Sequence, residues 1–213
     1  MFRIIDLTQT LSDESLSYPG TKKAWTAVRR DLGSSVATVT RFSSFDPHAG
    51  THLDAPRHFS PSAPDLATLE LRLRNATVVS IGGANVEAAD VPEDCSGRAV
   101  LFSTGWEDRA GTPEYFRGYP VVSSDAARLL VQRGVGLIGV DTPSVDGTDD
   151  HPRYPAHEIL AEAHVPIVEG LVNLHALLTI EHEILFAAFP LKLRGVEGSP
   201  IRALALVQDP AKP

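Results

Sequence analysis

The sequence predicts an α/β fold, and three observations carry that reading. Ala99–Phe102 is a short apolar strand candidate, Ser124–Arg133 carries helix signals, and Gly136–Val140 is a second apolar strand candidate. Strand, helix and strand in that order make one βαβ unit, which implies at least a partly parallel sheet. Elsewhere, short segments rich in β-branched and aromatic residues outnumber helical ones. The 213 residues are 43% apolar and 22% charged, with no linker-like stretch, so a single domain spanning 1–213 is expected, large enough for a substantial core.

In chain order, residues 2–9 read as a short strand, followed by a turn-rich segment from Ser12 to Thr21 that contains Tyr18-Pro19-Gly20. Residues 25–30 and 36–45 are strand candidates. Pro61, Pro64 and the leucines at 66, 69, 71 and 73 indicate a loop and a short helix. Ala76–Ile81 reads as a strand ended by Gly82-Gly83. Ser124 is the expected N-cap of the first long helix, and Gly134 its stop. A short helix over Ala156–Ala163 precedes the apolar run Val165–Val172, and Ile184–Phe189 and Ile201–Val207 complete the strands.

The chemistry concentrates in Asp46-Pro47-His48-Ala49-Gly50-Thr51-His52-Leu53-Asp54-Ala55-Pro56-Arg57-His58-Phe59. His48, His52, Asp54 and His58 are ligand types that suit a divalent transition metal without cysteine. Their even numbering places them on one side of an extended segment. A straight strand would hold His48 and Asp54 about 20 Å apart, whereas metal–ligand bonds are about 2 Å long, so the chain has to bend. Gly50 supplies free dihedrals, and Pro56 ends any helix or central strand. The expectation is a bent strand-loop gathering His48, His52 and Asp54 onto one ion. The alternative is a surface loop that happens to be rich in histidine.

Further along, Glu169 is flanked by apolar residues on both sides. A buried carboxylate there needs a cation, a hydrogen-bond network or a proton. A salt bridge to an arginine would serve equally well. His157, twelve residues earlier at the start of a predicted helix, reads by itself as a surface or capping residue.

The string HAGTHLDAPRHF resembles the H-x-G-T-H-x-D-x-P-x-H motif of the metal-dependent cyclase family, which includes bacterial kynurenine formamidases and isatin hydrolases. All seven fixed positions are matched. The resemblance extends to Asp141-Thr142-Pro143-Ser144-Val145-Asp146, to Pro190–Leu193 and to Gly198–Arg202. It implies two divalent ions per subunit, zinc or manganese. One would be held by His48, His52 and Asp54 and the other by Asp54, His157 and Glu169, with His58 as proton donor and acceptor. It also implies a layered sandwich of the swivelling β/β/α type with a mixed sheet and helices on one face, and a homodimer or larger homo-oligomer. The expected activity is hydrolysis of a small aryl formamide, N-formylkynurenine to kynurenine and formate. The rivals are a cyclic amide or lactone hydrolase of the isatin type, a non-catalytic metal- or small-molecule-binding relative, and a structural zinc protein. Kynurenine formamidases place tryptophan where Tyr18 precedes Pro19-Gly20, so Tyr18 is the candidate aromatic platform for the substrate ring. Thr21 likewise stands where relatives commonly carry aspartate.

Composition narrows the partners. A net charge of −8 argues against a nucleic-acid surface. No apolar run approaches the ~20 residues that span a bilayer, and Met1–Asp6 lacks the features of a signal peptide. One cysteine, Cys95, permits neither an internal disulfide nor a cysteine-based zinc site, and fits a reducing, cytoplasmic setting. No Gly-x-Ser-x-Gly element and no phosphate-binding glycine loop is present.

Overall fold

The computed structural model describes residues 1–12, 14–16, 25–31, 38–147 and 153–208. In chain order the strands are β1 (Phe2–Asp6), β2 (Trp25–Asp31), β3 (Thr38–Phe45), β4 (His52–Asp54), β5 (Arg74–Ser80), β6 (Ala99–Ser103), β7 (Leu137–Val140), β8 (Ile167–Glu169), β9 (Ile184–Ala187), β10 (Gly198–Pro200) and β11 (Leu204–Gln208). Helix α1 spans Ser124–Gln132 and α2 spans Pro155–Glu162.

Nine strands form one mixed sheet in the order β1-β11-β9-β5-β6-β7-β8-β4-β10, while β2 and β3 pair as a separate antiparallel ribbon. β5, β6, β7 and β8 run parallel. The flanking pairs are antiparallel. The expected βαβ unit is β6-α1-β7, and its two strands are direct parallel neighbours.

Alternation along β6 divides the core. Val100 and Phe102 face one side, where Ala126, Ala127 and Leu130 of α1 and Ala156 and Leu160 of α2 pack with Ile138 and Val140. Ala99 and Leu101 face the other side, against Leu7, Val168, Leu171, Phe186 and Ala205. Both helices therefore lie on one face. The other face closes by curling: Leu7 N–H donates to Ala203 O at 3.0 Å, and Val172 N–H donates to Leu7 O at 3.1 Å. The chain leaving β1 is thereby tied to both the β11 and the β8 sides of the sheet.

Local chemistry explains most boundaries and a few departures. Helix α1 is capped by Ser123 rather than Ser124: its side chain accepts from Ala126 N–H at 3.2 Å, and Gly134 takes the left-handed conformation after the helix. The strand expected over 2–9 ends at Asp6, because Leu7 turns to make the closing bonds. No helix forms across the leucines at 66–73. Asp65 instead accepts from the backbone of Ala67 and Thr68 and from Gly195 N–H, holding a turn. β10 went unread because Gly198-Ser199-Pro200 has poor strand chemistry; its pairing with β4 at the sheet edge is tertiary. No helix among the described residues is long and apolar enough to cross a membrane.

Candidate metal centre

The histidine-rich stretch bends where its glycine permits. Gly50 adopts φ +60°, in the left-handed region, and an added Cβ there would meet the Leu11 side chain at 2.8 Å. Thr51 then anchors the bend, its hydroxyl donating to Gly170 O at 2.6 Å and accepting from Gln9 N–H. β4 carries His52 and Asp54 on one face and Leu53 on the other, where Leu53 joins Val168 in the core. Across the antiparallel β4–β8 pair His52 stands opposite Glu169, so the ladder register places an imidazole and a carboxylate side by side. Pro56–His58 form a 3-10 turn that brings His58 back beside the strand.

The six expected site residues, His48, His52, Asp54, His58, His157 and Glu169, converge. His48 Nδ1 lies 2.8 Å from Asp54 Oδ1, and His52 Nε2 lies 3.5 Å from the same oxygen and 3.4 Å from Glu169 Oε2. His157 Nε2 is 3.5 Å from Asp54 Oδ2 and 3.3 Å from Glu169 Oε1. The rings of His48 and His58 stack with centroids 4.4 Å apart. His52, Asp54, His157 and Glu169 are all buried. His48 Nε2, His52 Nε2 and both Asp54 oxygens are buried, and apart from the imidazole–carboxylate approaches within the cluster they have no hydrogen-bond partner. Four orphaned polar atoms in one buried place are expensive unless something charged satisfies them. Donors around an ion with bonds of about 2.0–2.2 Å stand roughly 3.3–3.6 Å apart in tetrahedral arrangement, which matches the 3.3–3.5 Å separations of His52 and His157 from Asp54 and Glu169, while His48 Nδ1 stands closer to Asp54, at 2.8 Å. The residues therefore fit a divalent ion. His52, Asp54 and Glu169 make one group with ligand atoms mutually within 4.8 Å, and His48, Asp54 and His58 make a second. In both, Asp54 is shared.

The electrostatics agree. Burial disfavours the charged form of each group, yet in the metal-free cluster Asp54 raises His48 to about 9, and His48 and His52 hold Asp54 well below the usual carboxylate range. Glu169 is lowered to about 2, burial notwithstanding, by His157 and His52. His58 differs in direction. Although the residue is exposed, partial desolvation of its ring, together with the neighbouring His48 and His157, lowers its pKa despite the pull of Asp54.

The site opens into a cavity of about 310 Å³ lined by the six residues and by Asp46, Phe59, Pro143, Ser144 and Tyr154. The rings of Phe59 and Tyr154 lie 5.4 Å apart on one wall. Neither was singled out in the sequence, although an aromatic directly after the last motif histidine was a usable signal for Phe59. Tyr18 lies outside the described residues, as does His151. Of the other histidines, His175 is exposed and bonds Glu107 at 2.5 Å, away from the site.

A family model described as "Putative cyclase" matches residues 5–147, two-thirds of the chain and the whole of the histidine stretch. The chain belongs to the cyclase family. It is 31% identical over 205 residues to a kynurenine formamidase of Geobacillus thermodenitrificans, covering 93% of this chain and 95% of that protein. Among solved structures it resembles isatin hydrolase A from Ralstonia solanacearum, at 26% identity and TM-score 0.79, covering 97% of this chain and 92% of that one. It also resembles isatin hydrolase A from Labrenzia aggregata, at 25% identity and TM-score 0.82, with 98% and 94% covered. Within this cyclase-family framework the chain is a hydrolase, and its buried His/Asp/Glu cluster is the group that fits a divalent metal.

Proposed function

We propose that this cyclase-family hydrolase cleaves the C–N bond of a small aryl formamide, N-formylkynurenine, to give kynurenine and formate. The observation that carries the reading is the placement of His58, with a ring nitrogen within 4.8 Å of the ligand atoms of His48 and Asp54, in the lining of a cavity that Phe59 and Tyr154 also line. The likeness to kynurenine formamidases along almost the whole chain supports the choice of substrate.

In this reading one ion is held by His48, His52 and Asp54, and a second by Asp54, His157 and Glu169. Zinc and manganese both suit His and carboxylate donors. When bound, such ions activate water and polarise a carbonyl. His58, with its lowered pKa, is neutral near pH 7 and is free to accept the proton from the attacking water. It returns that proton to the departing aryl amine as the C–N bond breaks. Phe59 and Tyr154 offer flat apolar surface to the aryl ring, and Tyr18 is the further aromatic platform this reading expects. The enzyme would work as a homodimer or larger homo-oligomer in the reducing cytoplasm, where the buried Cys95 stays a free thiol.

The likeness to isatin hydrolases supports a second reading, opening of a cyclic amide by the same apparatus. Turnover of N-formylkynurenine and of isatin by purified, metal-replete protein, each with a chelated control, separates the two. Chelator-sensitive formamide hydrolysis is the expected result. Isatin opening alone would replace it with the second reading.

A further inference from the structure

Behind the site, Asp146 is a buried carboxylate outside the lining of the cavity. Its Oδ1 accepts from Ala156 N–H at 3.1 Å, and its Oδ2 accepts from His157 N–H at 2.9 Å and lies 2.8 Å from His157 Nδ1. Helix α2 has no capping side chain of its own: Tyr154 at its N-cap makes no such bond, and Pro155 in its first turn has no N–H. Asp146 takes over that duty from a neighbouring turn. Tyr119 Oη in turn donates to the Asp146 carbonyl at 2.7 Å, fixing the turn itself. One residue earlier, Val145 N–H donates to Glu169 Oε1 at 2.7 Å. Residues 145 and 146 thus hold both side chains of the His157–Glu169 half of the site from behind.

We propose that Asp146 is the positioning residue for that half. An imidazole that donates Nδ1–H to a carboxylate presents Nε2 as a lone pair, and this is the nitrogen that faces Asp54 Oδ2 and Glu169 Oε1 at 3.5 and 3.3 Å. Asp146 therefore fixes the tautomer and the orientation of His157 toward the second ion, and by capping α2 at the same two backbone amides it ties that orientation to the helix. The inference rests on the two-ion reading given under the proposed function.

The test substitutes Asp146→Asn. Asparagine keeps an oxygen for Ala156 N–H, but its amide group then stands in the place of Oδ2, where it donates to Nδ1, favours the tautomer with N–H on Nε2, and leaves His157 N–H without its acceptor. Chelated wild-type and variant proteins are compared by thermal unfolding, then titrated with Zn²⁺ and with Mn²⁺ by calorimetry. The expected result is cooperative unfolding of the chelated variant at a somewhat lower temperature than chelated wild type, because one cap bond of α2 is lost, together with a 10–100-fold weaker affinity for one ion and an unchanged affinity for the other. Equal affinities of wild type and variant for both ions would overturn the role of Asp146. Wild-type protein that takes up no ion would overturn the two-ion reading and the inference with it, a different and recognisable result. Should the variant fail to fold, ¹⁵N-histidine spectra of zinc-loaded wild-type protein decide the matter. They must show His157 protonated at Nδ1 and metal-shifted at Nε2; the reverse assignment rejects the proposal.

Discussion

His52 and Glu169 face each other across an antiparallel strand pair, with Nε2 and Oε2 3.4 Å apart, although 117 positions separate them in the chain. Among the described residues the partners of Glu169 are the imidazoles of His52 and His157 and the backbone amide of Val145, not an arginine. The ladder register sets this pairing, so the sheet itself brings His52 and Glu169 together.

Asp54 joins the two halves, one oxygen toward His48 and His52 and the other toward His157. Asp54→Asn removes the shared charge while leaving the shape of the side chain. Metal affinity is expected to fall by more than the ~100-fold seen for outer-shell changes, and hydrolysis to fall with it. Metal analysis of the dialysed variant beside wild type checks this; full retention of metal would contradict it.

His58→Ala separates chemistry from metal retention. Turnover should fall about 10²–10⁴-fold, with metal content unchanged. In the wild-type enzyme the acid limb of kcat/KM should lie below pH 6.5, because the neutral ring is the active base and its pKa is lowered. A steady-state pH profile reads both, and undiminished turnover in the variant would remove His58 from the reaction.

The metal-free protein should respond to pH in the sense set by its histidines. His48 is raised from 6.5 to about 9. Its contribution to stability is complete below pH 6.5 and disappears as pH rises through about 9. Over the same interval protons stop competing for the ring, so metal affinity should rise and proton release on binding should shrink. Glu169, lowered from 4.5 to about 2, contributes above 4.5 and ceases to as pH falls through 2. Melting curves of chelated and loaded protein from pH 6 to 10 test the first sign: only the chelated form should lose stability toward pH 9.

Gly198→Ala probes the wall against which His48 rests. A Cβ at Gly198 would stand 2.7 Å from His48 Cε1, with the rest of the ring close behind. The ring must tilt, or β10 must move off β4. A cost of about 1–3 kcal/mol from overpacking is expected, accompanied by weaker metal binding. A variant with wild-type melting temperature and wild-type affinity would show that the contact is soft.

How far the site was legible differs from residue to residue. His48, His52, Asp54 and His58 could be read directly, because they sit within eleven positions with a glycine and a proline at the bends, and local chain chemistry was enough to predict the bend. Glu169 could be read as a carboxylate in need of a partner, since its apolar neighbours announce burial, but the identity of that partner could not. His157 was ambiguous from its surroundings alone. Asp146, which accepts three hydrogen bonds at the N-terminus of α2, carried no local signal of its role, and neither did Tyr154 on the cavity wall.

The sequence by itself determined the α/β class, the βαβ unit at β6-α1-β7, and the ligand chemistry of the histidine stretch, because periodicity, turn residues and side-chain type all act over a few residues. Only the tertiary structure decided which strands are neighbours, that β10 exists, and that β1 curls round to close the apolar face. It alone placed Glu169 opposite His52 and Asp146 behind His157. Those outcomes depend on sheet register and on the packing of elements distant in the chain, and no local stretch of residues encodes either.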